Sequence, residues 1–150
     1  ELRSASDRLL ISTDDGSYGT HGFVTTVLQK LITDGEKIDM LICVGPVPMM
    51  KAVVTATREP KIKTFVSLNP IMVDGTGMCG ACRVTVGGKT RFACVDGTDF
   101  DGHQVDFDDM TKRMKMYARY EKIAYERFLE NDCRLGKQVR AMNETSGSKK

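Results

Sequence analysis

No run of apolar residues in this 150-residue chain approaches the roughly 18 that a bilayer-spanning helix needs, so no membrane span is expected. The first residues, "ELRSASDRLL", mix charge with apolar side chains and lack a signal-peptide pattern. A basic excess is missing too. Twenty-two Lys and Arg stand against 20 Asp and Glu, a net charge of +2, without the basic stripe of a nucleic-acid-binding domain. Neither nucleic acid nor membrane is therefore an expected partner. Histidine is scarce: His21 and His103 have no ligand spacing and read as polar surface residues. No Ser/His/Asp arrangement or paired-carboxylate site can be assembled, and no internal repeat or low-complexity region is present. The five cysteines are an odd number, which disfavours a closed disulfide framework. The expected compartment is the reducing cytoplasm, where disulfides are rare. The chain also lacks an initiator Met, which suggests a piece of a longer protein.

What is present is enough for one domain or two small ones. A chain of this length buries roughly 68–70% of its unfolded surface, so it needs no covalent staple. "RLLIS" (8–12) reads as a short buried strand followed by the turn "TDDGSYG". Apolar residues at 23, 24, 27, 28, 31 and 32 predict a helix over 21–33, with Gly35 as its stop. "IDMLICVG" (38–45) is a second strand, whose continuous apolar run suits a parallel sheet covered on both faces. Residues 46–59 form a second helix, with Pro46 near its first turn. "KTFVSL" (63–68) is a third strand. Alternation of this kind predicts an α/β fold with right-handed crossovers, a partial doubly wound parallel sheet. After Leu68 the pattern changes. Residues 69–81 are Gly-rich and aperiodic, and "CRVTVGGKTRFAC" reads as a hairpin. Apolar residues at 110, 114, 117, 120, 124 and 128 then predict one long C-terminal helix. The expected divisions are a partial nucleotide-binding domain at 1–68, a cysteine-rich hairpin subdomain at 69–109, the helix at 110–134 and a polar tail at 135–150.

The stretch "DGTGMCGACRVTVGGKTRFACVDG" (74–97) concentrates the chemistry. Asp74, Cys79, Cys82 and Cys94 are separated by four, two and eleven residues. Plant-type [2Fe–2S] ferredoxins space their thiolates C-x4-C-x2-C with a distant fourth Cys, and this chain fits with Asp74 in the first position. Two alternatives compete. A thioredoxin-type dithiol uses Cys-x-x-Cys at a helix start, whereas a strand is expected after Cys82. A Cys3Asp zinc site is chemically reasonable, but zinc ribbons usually need a second Cys-x-x-Cys knuckle. Hairpin register bears on the choice. A two-residue turn at Gly87-Gly88 sets Val86 opposite Lys89 and sends Cys82 and Cys94 to opposite faces. A three-residue loop pairs Val86 with Thr90 and Cys82 with Cys94; that register is expected, because it puts both thiolates on one face. Loss of a cluster is expected to disorder residues 74–82 or to join Cys79 to Cys82. Cys43, in an apolar strand, and Cys133 read as structural.

Two strand-to-helix junctions are candidate nucleotide sites. An acidic residue just past a strand can bond a ribose 2′-OH and repel a 2′-phosphate, so Asp14 and Asp15 favour NAD(H) over NADP(H). Gly45 and Pro46 leave room for a ligand at the carboxyl end of the second strand. Taken alone, the Asp14/Asp15 junction reads better as an acidic turn that caps a helix and the Gly45/Pro46 junction equally well as an ordinary turn, and the Gly-rich phosphate loop that opens such domains is missing.

Together, "TDDGSYGTHGFVT", "VGPVPMMKAV" and the 74–97 stretch resemble the C-terminal part of the ferredoxin-reductase-like electron-transfer subunits, over about residues 5 to 110. That group includes the electron-transfer subunit of dihydroorotate dehydrogenase. Closer are the small subunit of NADH-dependent ferredoxin:NADP oxidoreductase and the beta subunit of sulfide dehydrogenase, a branch that shares the Asp at position 74. A small departure is Thr98, where the pattern has Pro. The resemblance implies that Asp74, Cys79, Cys82 and Cys94 hold a [2Fe–2S] cluster, and that Asp14, Asp15, Gly45 and Pro46 lie near NAD(H). It implies FAD bound mainly by an N-terminal β-barrel that this chain lacks, together with its Arg-x-Tyr-Ser type motif. The expectation is a fragment of an NAD(P)H-linked flavin/iron–sulfur oxidoreductase, inactive alone, that passes electrons to a larger partner subunit. The rival is a zinc-stabilised, non-catalytic interaction module. A third possibility is a nucleotide-binding regulatory domain whose cysteines are incidental.

Overall fold

The computed structural model describes residues 1–130; Cys133, the end of the expected 110–134 helix and the expected tail at 135–150 lie outside them. Two compact units divide the chain at 111/112. The first opens with a short helix α1 (Leu2–Ala5), then β1 (Ser12–Thr13), β2 (Thr20–His21), α2 (Val24–Thr33), β3 (Met40–Val44), α3 (Val47–Arg58) and β4 (Lys63–Ser67). After the Gly-rich loop come β5 (Arg83–Val86), β6 (Lys89–Phe92), α4 (Ala93–Asp96), β7 (Asp99–Asp101) and a 3-10 turn at Gly102–Gln104. Helix α5 (Phe107–Met114) leads to a 3-10 turn (Lys115–Tyr117) and α6 (Ala118–Glu130).

The α/β class expected from the alternating pattern is what forms. Strands β3 and β4 pair in parallel, from Met40 with Lys63 to Val44 with Ser67. Helix α3 buries Val47, Met50, Val53, Val54 and Thr57, and full burial of an aliphatic side chain contributes about 1.5–3 kcal/mol each. Thr57 and Thr64 are buried polar residues, but their hydroxyls bond each other at 2.8 Å and also reach the Val53 and Ile62 carbonyls. No buried hydroxyl of this pair is left unpaired, so the desolvation cost is offset.

Four expectations are corrected. The stretch 8–12 does not form a strand of the main sheet: only Ser12–Thr13 is extended, pairing in parallel with Thr20–His21. The main sheet is not purely parallel, because β7 joins β4 antiparallel, setting Val66 opposite Phe100. Nor is β3 covered on both faces. Cys43 is buried while Met40, Ile42 and Val44 are exposed, the alternation of a sheet covered on one side only. The single helix expected from 110 onward begins at 107, where the Asp106 carboxylate accepts the N–H groups of Asp108 and Asp109. That is N-capping of α5. The run is interrupted by the Lys115–Tyr117 turn. In the second unit, α6 has no buried residue among those described.

Met50 has no exposed surface. Met50→Ala is expected to cost about 2–5 kcal/mol in a urea unfolding measurement; a loss below about 1 kcal/mol contradicts this core.

Candidate iron–sulfur site and nucleotide cavity

The hairpin register differs from the expected one. Val86 pairs with Lys89 and Arg83 with Phe92, so the turn is the two residues Gly87 and Gly88. Their φ values of 58° and 71° give the left-handed pair that a type I′ turn requires. Strand alternation alone would then separate the two cysteines. Instead the chain leaves the strand at Phe92 and turns into α4, with the Asp96 carboxylate accepting the Phe92 N–H at 2.7 Å. Ala93 is fully buried and donates its N–H to the Cys82 carbonyl at 3.1 Å. One residue further on, the helical turn swings Cys94 back, and its sulfur stands 3.1 Å from that of Cys82. The two thiols converge, by a helix start rather than by strand register.

The loop before the hairpin closes over this pair. Asp74 accepts the N–H of Thr76 at 2.9 Å and that of Cys79 at 3.1 Å. Those bonds, led by Thr76, lower the Asp74 pKa. The Cys79 sulfur accepts the Ala81 N–H at 3.5 Å and is exposed. Gly77 has φ of 81°, and a Cβ there would come within 2.8 Å of the Val95 side chain. Only glycine lets the backbone lie this close, where the Gly77 N–H reaches the Cys94 sulfur.

The sulfur pair is electrostatically asymmetric. Burial works to raise the Cys82 pKa, but hydrogen bonds from the Cys94 backbone and side chain, with the N–H groups of Cys82 and Ala93, outweigh it and lower the pKa. Cys94 is raised, first by its bond to Cys82, then by desolvation and by the Cys82 and Asp74 charges.

Of the four spacing-derived candidates, the structure joins Cys82 with Cys94 directly and Asp74 with Cys79 through the loop backbone. It does not draw them all together: among the described residues, no three His, Cys, Asp or Glu side chains stand as a ready-made metal site. The donor set is three soft sulfurs and one carboxylate, with backbone N–H groups aimed at sulfur. That chemistry fits an iron–sulfur cluster and does not suit a hard cation such as Mg²⁺ or Ca²⁺.

The nucleotide candidates separate into two pairs. Asp14 and Pro46 line a cavity of about 550 Å³ with Ser12, Phe23, Thr25 and Met49. Helices α2 and α3 both begin at its edge, neither with a side-chain cap. Asp15 does not line it. Its carboxylate accepts the Ser17 N–H at 3.0 Å, the leading cause of its lowered pKa. Gly45 is also outside the lining, but a Cβ there would collide with the end of Met49 and push it from the cavity wall. The sequence reading missed Phe23. It is 66% exposed at the start of α2, and an unburied aromatic beside an acidic turn was the available signal. Three other residues match or revise their sequence reading. Cys43 is buried and its pKa raised by that burial. His103 is not a plain surface residue, since its Nε2 bonds the Ile62 carbonyl at 3.0 Å. His21 is exposed.

Residues 69–106 match the family described as the iron–sulfur cluster binding domain of dihydroorotate dehydrogenase B. Over 130 residues the chain is 54% identical to a Thermotoga maritima protein named as a homolog of the dihydroorotate dehydrogenase B (NAD(+)) electron transfer subunit, covering 87% of this chain and 45% of that one. Residues 69–106 thus resemble that iron–sulfur domain, and most of the chain is similar to proteins named as electron transfer subunits. A Methanocaldococcus jannaschii relative, named as the probable dihydroorotate dehydrogenase B (NAD(+)) electron transfer subunit, is 39% identical over 118 residues, 79% of this chain and 45% of that protein. A solved chain from work on flavin-based electron bifurcation by the NADH-dependent reduced ferredoxin-NADP oxidoreductase superposes with a TM-score of 0.71 at 52% identity, covering 84% of this chain and 45% of that chain. The chain thus spans less than half the length of these relatives. No helix among its described residues is long and apolar enough to cross a membrane.

Proposed function

We propose that this chain carries electrons between NAD(H)-linked flavin chemistry and a larger flavin/iron–sulfur partner subunit, by way of a [2Fe–2S] cluster, in the cytoplasm. The observation that supports it best is the Cys82–Cys94 sulfur contact at 3.1 Å inside the segment that matches the iron–sulfur family. Asp74, Cys79, Cys82 and Cys94 would hold the cluster. When bound, cluster and FAD together supply the conversion between a two-electron hydride and single electrons. The chain's own residues bind and tune. The Gly77 N–H lies on the Cys94 sulfur, and N–H groups around Cys82 favour its thiolate. Asp74 contributes a carboxylate, a weaker donor than thiolate, so it raises the reduction potential relative to an all-Cys set. No observation favours the zinc-module alternative over this reading.

At the cavity, Asp14 would accept the ribose hydroxyls of NAD(H) and repel a 2′-phosphate. The N-termini of α2 and α3 would favour the pyrophosphate through their unpaired N–H groups. Pro46 and Gly45 shape the wall, and Asp15 holds the acidic turn that presents Asp14. FAD would be held mainly outside this chain, and the chain alone would not turn over substrate.

Two measurements test this. In anaerobically prepared protein, EPR redox titration is expected to show a cluster signal whose potential falls in Asp74→Cys; an unchanged or higher potential contradicts the ligand role. A charge-assisted hydrogen bond is worth about 1.5–3 kcal/mol, so Asp14→Asn is expected to weaken NADH binding about tenfold or more by calorimetry. Equal affinity for the two proteins contradicts the placement of the ribose.

A further inference from the structure

We propose that Cys82 and Cys94 are a redox lock: when no cluster is bound, a small-molecule disulfide such as oxidised glutathione converts them to a Cys82–Cys94 disulfide that leaves Cys79 free and closes the site until a thiol reopens it. The Cys-x-x-Cys motif would instead pair Cys79 with Cys82. The geometry points elsewhere. Cys82 and Cys94 sulfurs are 3.1 Å apart, whereas the Cys79 sulfur is turned to the Ala81 N–H on an exposed loop. A disulfide bond is about 2.05 Å long, so side-chain rotation of roughly 1 Å closes it. Both partners are held in place, Cys82 at 2% exposure beside β5 and Cys94 in α4, tied by the Asp96 bond to Phe92 and the Ala93 bond to Cys82. Cys94 is the more accessible of the two.

The chemistry balances in two exchanges. Cys94, the more accessible sulfur, loses its proton and attacks one sulfur of the small disulfide, whose S–S bond breaks and releases one thiolate. The buried Cys82 thiolate then attacks the Cys94 sulfur of the mixed disulfide, and the second small thiolate leaves. Two cysteine sulfurs lose two electrons in total. The small disulfide gains them and, with the two cysteine protons, becomes two thiols. The consequence for the cluster rests on the proposed function, but the pairing itself does not.

The test uses the whole cluster-free chain, reduced and then exposed to oxidised glutathione, alkylated and mapped by tryptic mass spectrometry. Free thiols are expected to fall from the five cysteines of the chain to three, with residues 64–83 joined to residues 92–112 and the alkyl group on Cys79. Cys79→Ser, at an exposed position, is expected to keep the same cross-link. A Cys79–Cys82 or Cys79–Cys94 bond, persistent glutathione adducts without a cross-link, or five free thiols overturns the proposal. A second arm offers ferrous iron and sulfide to both forms and measures bound iron after gel filtration. The oxidised form is expected to take up none until treated with thiol; equal uptake by the two forms overturns the lock. If the reduced form also takes up no iron, the iron reading and the lock fall together, while the cross-link map still reports whether the disulfide forms.

Discussion

The contact between the Cys82 and Cys94 sulfurs depends on where a strand stops. Strand residues alternate faces, so a tight Gly87-Gly88 turn sets the register that would part the two thiols. The contact survives because β6 ends at Phe92 and the next residues wind into a single helical turn. Ala93 is buried under that turn, and the Asp96 carboxylate holds its start. Everything proposed for the loop at 74–82 presupposes this change of direction, since the loop's Gly77 N–H must find a sulfur at that spot.

The same region is fastened to the main sheet. Leu68 donates to the Thr98 carbonyl, and β7 runs alongside β4. From the far side of β7, the Gly87 N–H bonds the Gln104 carbonyl and the Asp106 N–H bonds the Thr85 carbonyl. The segment 98–106 therefore stitches hairpin to sheet at both ends. The proposed electron transfer would need a fixed distance between groups, and these backbone ladders supply fixity that a Gly-rich loop alone does not. Around the loop, Met78 is 88% exposed and Val73 and Val95 are also uncovered.

Much of the fold of residues 1–68 was legible. The 3.6 period announced α2, Pro46 marked the first turn of α3, and the continuous apolar run announced β3, because helix faces and strand cores leave such marks. The rest was hidden for physical reasons. Glycine permits a two-residue turn or a three-residue loop equally well, so "VGGKT" does not choose a register. The four residues of α4 are too few to show a period, and "DFD" in β7 is short and acidic, its strand character imposed by pairing with β4. Alternating exposure on β3 could not be read from "MLICV", since every residue there is apolar and burial depends on what lies opposite. The cysteine spacing was legible as chemistry, and the meeting of Cys82 with Cys94 was expected from strand register; the helix start that brings the two sulfurs together came only from the fold.

The proposed cluster is two irons and two bridging sulfides held by Asp74, Cys79, Cys82 and Cys94. Chemical analysis of protein made and kept without oxygen addresses it most directly. Iron and acid-labile sulfide in equal amounts, about two of each per chain as the [2Fe–2S] formula requires, is the predicted result. Protein carrying neither, or carrying one zinc and no labile sulfide, contradicts it.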